Sequence, residues 1–149
     1  MTTTRTTKRR QVHDLVMAYP ALSIQQPYAW AIIYAGKPVE NRCWRRAPRY
    51  RGPLLIHAGK RWYDGTFDDL DRRLLQATVK MAGSIAVVPP DMPRGGIVGI
   101  VDLVDVVREY DSPWFEGPLG LVLRNPRPLP FTPCRGALGL FHAKLSHAA

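Results

Sequence analysis

Apolar residues recur along the chain in short runs with the two-residue period of strands, and turns rich in glycine and proline separate them. Strands of this kind outnumber helices here, which favours a compact mixed β-barrel over layered βαβ units. We therefore expect an α+β fold of about six strands and two flanking helices. The predicted strands cover residues 21–24, 39–44, 53–57, 97–107, 120–123 and 137–143.

Two segments have the helical period instead. Residues 28–35 follow Pro27, which suits a helix start, and precede Gly36, which suits a left-handed C-cap. Residues 66–82 have three aspartates early and a lysine late, as the helix dipole favours. The expected buried faces consist of Ala29, Ile32 and Ile33 in the first helix and of Phe67, Leu70, Leu74, Leu75, Thr78 and Met81 in the second.

Positive charge dominates the stretch from Leu15 to Tyr63, in which Glu40 is the single acidic residue. A solvated face normally mixes both signs, so this excess indicates a surface that binds an anionic partner. Alternation along the predicted strand 39–44 places Glu40, Arg42 and Trp44 on one face. The eight cations are Lys37, Arg42, Arg45, Arg46, Arg49, Arg51, Lys60 and Arg61, and the last two are predicted to lie with Trp62 in a loop after strand 53–57.

Length and composition indicate one soluble domain. The chain has 149 residues, of which 46% are hydrophobic and 22% charged, and no apolar run approaches the about 20 residues of a membrane span. Residues 1–19 are predicted to form a disordered basic tail, which could help to grip nucleic acid, and residues 20–145 the domain. The four cations of the tail's first eleven residues, removed from the net charge of +9, leave +5 for residues 12–149. It has no apolar segment typical of a secretory signal, so a cytoplasmic location is expected.

The cysteines and histidines do not form a metal-ligand pattern. Cys43 and Cys134 are far apart, and none of the four histidines has zinc-ligand spacing with them. We expect two buried free thiols, no metal and no cofactor. His57, at the end of an apolar strand, is expected to be a partly buried, hydrogen-bonded histidine, with a ligand or proton-transfer role as the alternative.

The stretches ALSIQQPYAWAIIYAGKPVENRCW and YRGPLLIHAGKRW resemble the ASCH domain, a PUA-like β-barrel module associated with RNA or other nucleic-acid binding. Lys37, Glu40 and Arg42 match the charged positions of its signature, while Ala35 occupies the usual glycine position and Gly36 follows it. The similarity extends through GGIVGIVDLVDVV and PCRGALGLF, over about residues 20–145. It implies a PUA-like small barrel.

The resemblance also implies a cleft bordered by the first helix and the signature strand. Lys37 offers a point charge, Arg42 a planar fork suited to phosphate, and Glu40 an acceptor for an exocyclic amine. The alternative is that Glu40 and Arg42 only pair with each other on the strand face. We expect Trp62 to stack on a base, Arg51 to be a further phosphate contact, and Trp44 and Tyr28 to lie in the core. The other nucleic-acid-binding candidates are Ser23, Gln25, Gln26, Lys37, Glu40, Arg42, Arg45, Arg46, Arg49, Lys60 and Arg61.

These features predict a module that binds RNA or, less favoured, single-stranded DNA, with a nucleoside or nucleotide as a further ligand class and no membrane partner. The alternative is a small hydrolase. Some relatives similar to this domain are amidohydrolases acting on N4-acetylcytidine, with a threonine at the position of Glu40, and others look like ribonucleases. In an enzyme, Lys37 would stabilise an oxyanion and Glu40 would activate water.

Overall fold

The computed structural model describes residues 2–63, 71–77 and 91–145. Within these ranges there are three helical segments and six strands, which confirms the predicted strand number and the α+β fold class. The elements are α1 (Thr2–Ala18), β1 (Ala21–Gln26), α2 (Tyr28–Tyr34), β2 (Val39–Arg42), β3 (Gly52–Trp62), α3 (71–77), β4 (Gly96–Val107), β5 (Leu119–Pro133) and β6 (Leu140–Phe141).

The six strands form one sheet in the order β2-β5-β4-β3-β1-β6, in which β1 is parallel to β3 and all other pairs are antiparallel. The sheet curls into a half-barrel, so that strands far apart in this order approach each other. Arg42 at the end of edge strand β2 donates a hydrogen bond to the backbone carbonyl of Ser23 on β1, at 2.8 Å. The curl therefore brings two separated strands to one place.

Helix α2 covers one face of this sheet, as its apolar stripe predicts. Ala29, Ile32 and Ile33 are buried, and Gly36 follows the helix with φ of 69°, which confirms the predicted left-handed turn. On the facing strand, a Cβ at Gly99 would lie 2.5 Å from Ile33 Cδ1 and 2.8 Å from the Arg127 carbonyl oxygen. The missing side chain at residue 99 lets α2 pack directly against β4.

Strand β2 ends at Arg42, so Trp44 lies beyond the predicted strand 39–44, and three other strands differ from the sequence prediction by more than two residues. Strand β3 continues to Trp62, where it pairs with Gln26, so Lys60 to Trp62 lie on a strand and not in a loop. Strand β5 runs for 15 residues, and β6 has only two. Strand β5 continues through its proline-rich second half because it stays paired with β4, with three register shifts. The long partner strand supplies backbone hydrogen bonds that local propensity does not reveal.

Residues 2–18 form helix α1, so the prediction of a disordered tail was wrong for them. Val12 and Val16 lie one helical turn apart, and both are buried against the cluster that includes Ile97, Ile100 and Ala143. The helix is stabilised by this tertiary contact, whereas the sequence prediction rested on the charged first half of the segment.

Helix α3 buries Leu74 and Ala77 in a cluster with Trp114, while Leu75 is exposed, contrary to prediction. The rest of the predicted helix 66–82 lies outside the described residues. In the part of the chain that the structure describes, no helix is long and apolar enough to span a membrane.

Candidate nucleic-acid interface

Glu40 lies between two cations. Its Oε1 is 3.3 Å from Lys37 Nζ and its Oε2 is 3.4 Å from Arg42 Nη2, so a single carboxylate pairs with both. Alternation along β2 brings Glu40 and Arg42 to one face, and the turn after Gly36 brings Lys37 back towards them. The three signature residues therefore form one cluster.

Lys37 is the buried member of this cluster, with only 1% of its side chain exposed. Its Nζ donates to the Val39 carbonyl oxygen at 2.5 Å and lies 5.3 Å from the centre of the Tyr28 ring and 5.8 Å from that of Trp114. Burial lowers the pKa of Lys37 from its ordinary value, and the Glu40 carboxylate opposes that shift. In this arrangement Lys37 holds Glu40 in place, and its ammonium does not reach the surface.

Arg42 is the member that reaches solvent, with 23% of its side chain exposed. Strand β6 pairs with β1 only at Ala21 and Leu22, so the edge of β1 beyond them has no strand beside it in the part of the chain that the structure describes. The Arg42 guanidinium binds the Ser23 carbonyl at that edge and lies 5.4 Å from the centre of the Trp44 ring. The Arg42 guanidinium is thus held by the Glu40 carboxylate, the Ser23 carbonyl and the face of the Trp44 ring.

Ser23 and His57 form a pair that the sequence analysis did not predict. Ser23 Oγ is 2.9 Å from His57 Nδ1, and His57 Nε2 is 2.8 Å from the Cys134 carbonyl oxygen. Because a carbonyl only accepts, Nε2 carries the proton in the neutral ring and Nδ1 accepts from the Ser23 hydroxyl. The expectation of a hydrogen-bonded histidine is confirmed, and His57 is almost fully buried. Only the β1–β3 register, which pairs residue 23 with residue 57, reveals this contact.

Asn41 makes a second long-range contact that the sequence analysis missed. Its side-chain amide donates to the Trp114 carbonyl oxygen at 2.9 Å, and its carbonyl accepts from the backbone N–H groups of Glu116 and Gly117. This clamp positions the Trp114 ring beside Lys37. A lone asparagine on the far face of a strand provides no sequence signal for such a contact.

Gln25 and Gln26 face opposite sides of β1. Gln25 is exposed, as a ligand contact requires. Gln26 is buried, its Nε2 donates to the Pro93 carbonyl oxygen at 3.0 Å, and its Oε1 accepts from the Trp30 N–H at 2.9 Å. Both polar atoms of Gln26 are engaged within the protein, so this side chain connects β1 to α2 and to the segment before β4.

The exposed cations of the stretch 15–63 fall into two groups at opposite ends of β3. The arginine loop, defined as residues 43–51, precedes Gly52, and Lys60 and Arg61 end the strand beside Trp62. An eleven-residue strand spans about 35 Å at about 3.3 Å per residue, so the two groups are not one compact site. The exposed arginines of the loop are Arg45, Arg46, Arg49 and Arg51.

The core packing predicted for Trp44 and Tyr28 is confirmed. Trp44 and Tyr28 are half-buried and pack against the main core cluster, whereas Trp62 is exposed. Both cysteines are free, but Cys43 is exposed, which corrects the prediction of two buried thiols. The described residues contain no group of histidine, cysteine, aspartate and glutamate side chains that could hold a metal ion.

A curled six-stranded sheet with α2 packed on it, and a lysine, glutamate and arginine at its open edge, defines a PUA-like barrel module. The ASCH domain model matches residues 22–117. This is more than half of the chain, and the protein therefore belongs to the ASCH domain family. A comparison with curated proteins found no match.

Proposed function

We propose that this protein binds single-stranded RNA along the open edge of β1 and across the arginine loop. One observation carries the proposal: in the stretch 15–63, the single carboxylate is already paired with Lys37 and Arg42, so the charged groups that face solvent there are cations. A surface of one sign favours a polyanion.

The contacts divide into two kinds. The arginines of the loop neutralise phosphates without reading sequence, while Arg42, Glu40 and Gln25 contact the nucleotide that lies beside the open edge of β1. Trp62, at the far end of β3, provides a face on which a base stacks. Lys37 contributes indirectly by fixing the Glu40 carboxylate.

The amidohydrolase alternative is less well supported by this geometry. It requires the Lys37 ammonium to approach an acyl oxygen, whereas that ammonium is buried and engaged with the Val39 carbonyl and Glu40. Incubating the protein with N4-acetylcytidine tests this alternative directly. Turnover that disappears in both Lys37→Ala and Glu40→Ala variants would replace the binding proposal with catalysis.

Salt titration of RNA binding tests the proposal itself. Fluorescence anisotropy of a labelled single-stranded RNA gives the slope of log affinity against log salt, which is about −0.7 for each phosphate neutralised. In an Arg46→Ala/Arg49→Ala variant, the slope should become about 1.4 units shallower if each arginine binds one phosphate. The matched control is Arg108→Ala/Arg124→Ala, which removes two exposed arginines outside the loop. Equal slopes in the two variants would contradict the proposed path.

A further inference from the structure

Helix α1 forms one wall of a groove that is separate from the cluster of Lys37, Glu40 and Arg42. The groove has a volume of about 1140 Å³, and the end of β5 and residues 143–145 form the rest of it. All of its lining residues lie at or before residue 17 or at or after residue 130, outside the matched ASCH region 22–117. Its role is therefore independent of the family site.

The floor of this groove is apolar. Val12 and Val16 lie at its base, and Met17 and Phe131 are 72% and 43% exposed at its sides. Two large apolar side chains left in water beside an apolar floor are typical of a surface that a partner covers. Pro130, Pro133 and Leu145 complete the apolar lining.

The rim of the groove is positively charged. Arg5 and Arg9 lie one helical turn apart and continue the stripe of Val12 and Val16, and Lys144 lies in the segment that follows β6. Lys8 and Arg10 also line the groove, and none of its described lining residues is acidic. His13 lines it as well, and its Nδ1 lies 3.8 Å from Oδ1 of the neighbouring Asp14. A ligand in this groove therefore meets apolar surface below and cations above.

We propose that this groove binds an acidic amphipathic peptide segment of a partner protein. The apolar side chains of such a segment pack on Val12, Val16 and Met17, while its carboxylates pair with Arg5, Arg9 and Lys144. RNA fits this surface less well, because a phosphate backbone pairs with the rim but leaves the aliphatic floor uncovered.

The test uses a labelled synthetic helix of about 16 residues, with leucines at positions i, i+3, i+4 and i+7 and glutamates elsewhere. A scrambled peptide of the same composition, without an apolar face, is the ligand control. Fluorescence anisotropy against the full chain should show binding of the amphipathic peptide and at least about tenfold weaker binding of the scrambled one.

Variants locate the site. Arg9→Glu/Lys144→Glu should weaken peptide binding at least about tenfold, whereas the matched charge reversal Arg46→Glu/Arg49→Glu in the arginine loop should change it less than about twofold. Met17→Ser, at an exposed position, should weaken it about threefold or more without unfolding α1. Circular dichroism and the melting temperature verify folding of each variant.

Four outcomes would overturn the inference. The first is equal binding of the scrambled peptide, and the second is no peptide binding by the wild type. The third is that Arg9→Glu/Lys144→Glu impairs RNA binding while peptide binding is unchanged, which would make the groove an RNA surface. The last is a wild-type dimer, detected by sedimentation, that Met17→Ser dissociates, because the occupant would then be a second copy of the chain.

Discussion

Replacing Glu40 with glutamine removes the one carboxylate among residues 2–63, 71–77 and 91–145 that pairs with the buried ammonium of Lys37. The Val39 carbonyl remains as its acceptor, but an amide at residue 40 cannot compensate for a full positive charge. Breaking a buried ion pair by removing one partner costs about 3–5 kcal/mol. Because Glu40 is not completely buried, we expect the lower end, about 3 kcal/mol of unfolding free energy. For a chain of this length that corresponds to a melting temperature lower by about 6–12 °C.

The pH dependence of the lost unfolding free energy distinguishes an unpaired Lys37 ammonium from a general disruption of packing. Burial lowers the pKa of Lys37 below 10.5, and the Glu40 carboxylate opposes this shift, so its loss lowers that pKa further. Between the folded pKa and 10.5 the unfolded variant binds more protons than the folded one, and its unfolding free energy therefore rises with pH. The stability difference between wild type and Glu40→Gln should shrink as pH increases from about 7 to about 10.

Urea unfolding at several pH values measures both quantities. Glu109→Gln, at an exposed position, is the matched control and should change stability by less than about 0.5 kcal/mol. A Lys37→Met/Glu40→Gln double variant should recover most of the lost stability, because it removes the unpaired charge as well. If Glu40→Gln is as stable as Glu109→Gln at neutral pH, the proposed buried pair is not a stabilising element and the reasoning fails.

Two further predictions concern packing and thiol reactivity. Gly99→Ala should lower the unfolding free energy by about 1–3 kcal/mol, because the added Cβ would overlap Ile33 and the Arg127 carbonyl oxygen. Urea unfolding measures this loss. Adding Ile33→Val to the same chain should recover only part of the lost free energy, since the Arg127 carbonyl remains in place. Full recovery of the unfolding free energy would show that the added Cβ clashes only with Ile33 and not with the Arg127 carbonyl. At mildly alkaline pH a maleimide should modify the exposed Cys43 well before Cys134, because burial raises the pKa of Cys134. Mass spectrometry measures both labelling rates, which should be equal in denaturant. Faster labelling of Cys134 than of Cys43 in the native protein would refute the burial argument.

Local chemistry in the sequence is sufficient to predict several parts of this protein. The apolar stripe of α2, the glycine turn after it and the alternation of Glu40 and Arg42 depend on residues close in the chain, and the structure has all three. The stretches 21–44 and 50–62, together with the signature positions Lys37, Glu40 and Arg42, also showed the resemblance to the ASCH family that the family match confirms. Periods of two and 3.6 residues carry this information because they describe neighbours along one element.

Contacts between distant segments were decided only by the tertiary structure. The burial of Lys37 depends on Trp114, which Asn41 holds in place from 73 residues away, and the pairing of Ser23 with His57 depends on the register of two parallel strands. Helix α1 is ordered because Val12 and Val16 meet Ile97 and Ile100 on the sheet. The sequence by itself determined which side chains carry charge and which can be buried. The curl of the sheet decided which of the charged side chains still reach solvent. The reason is that burial depends on contacts between residues that no local pattern brings together.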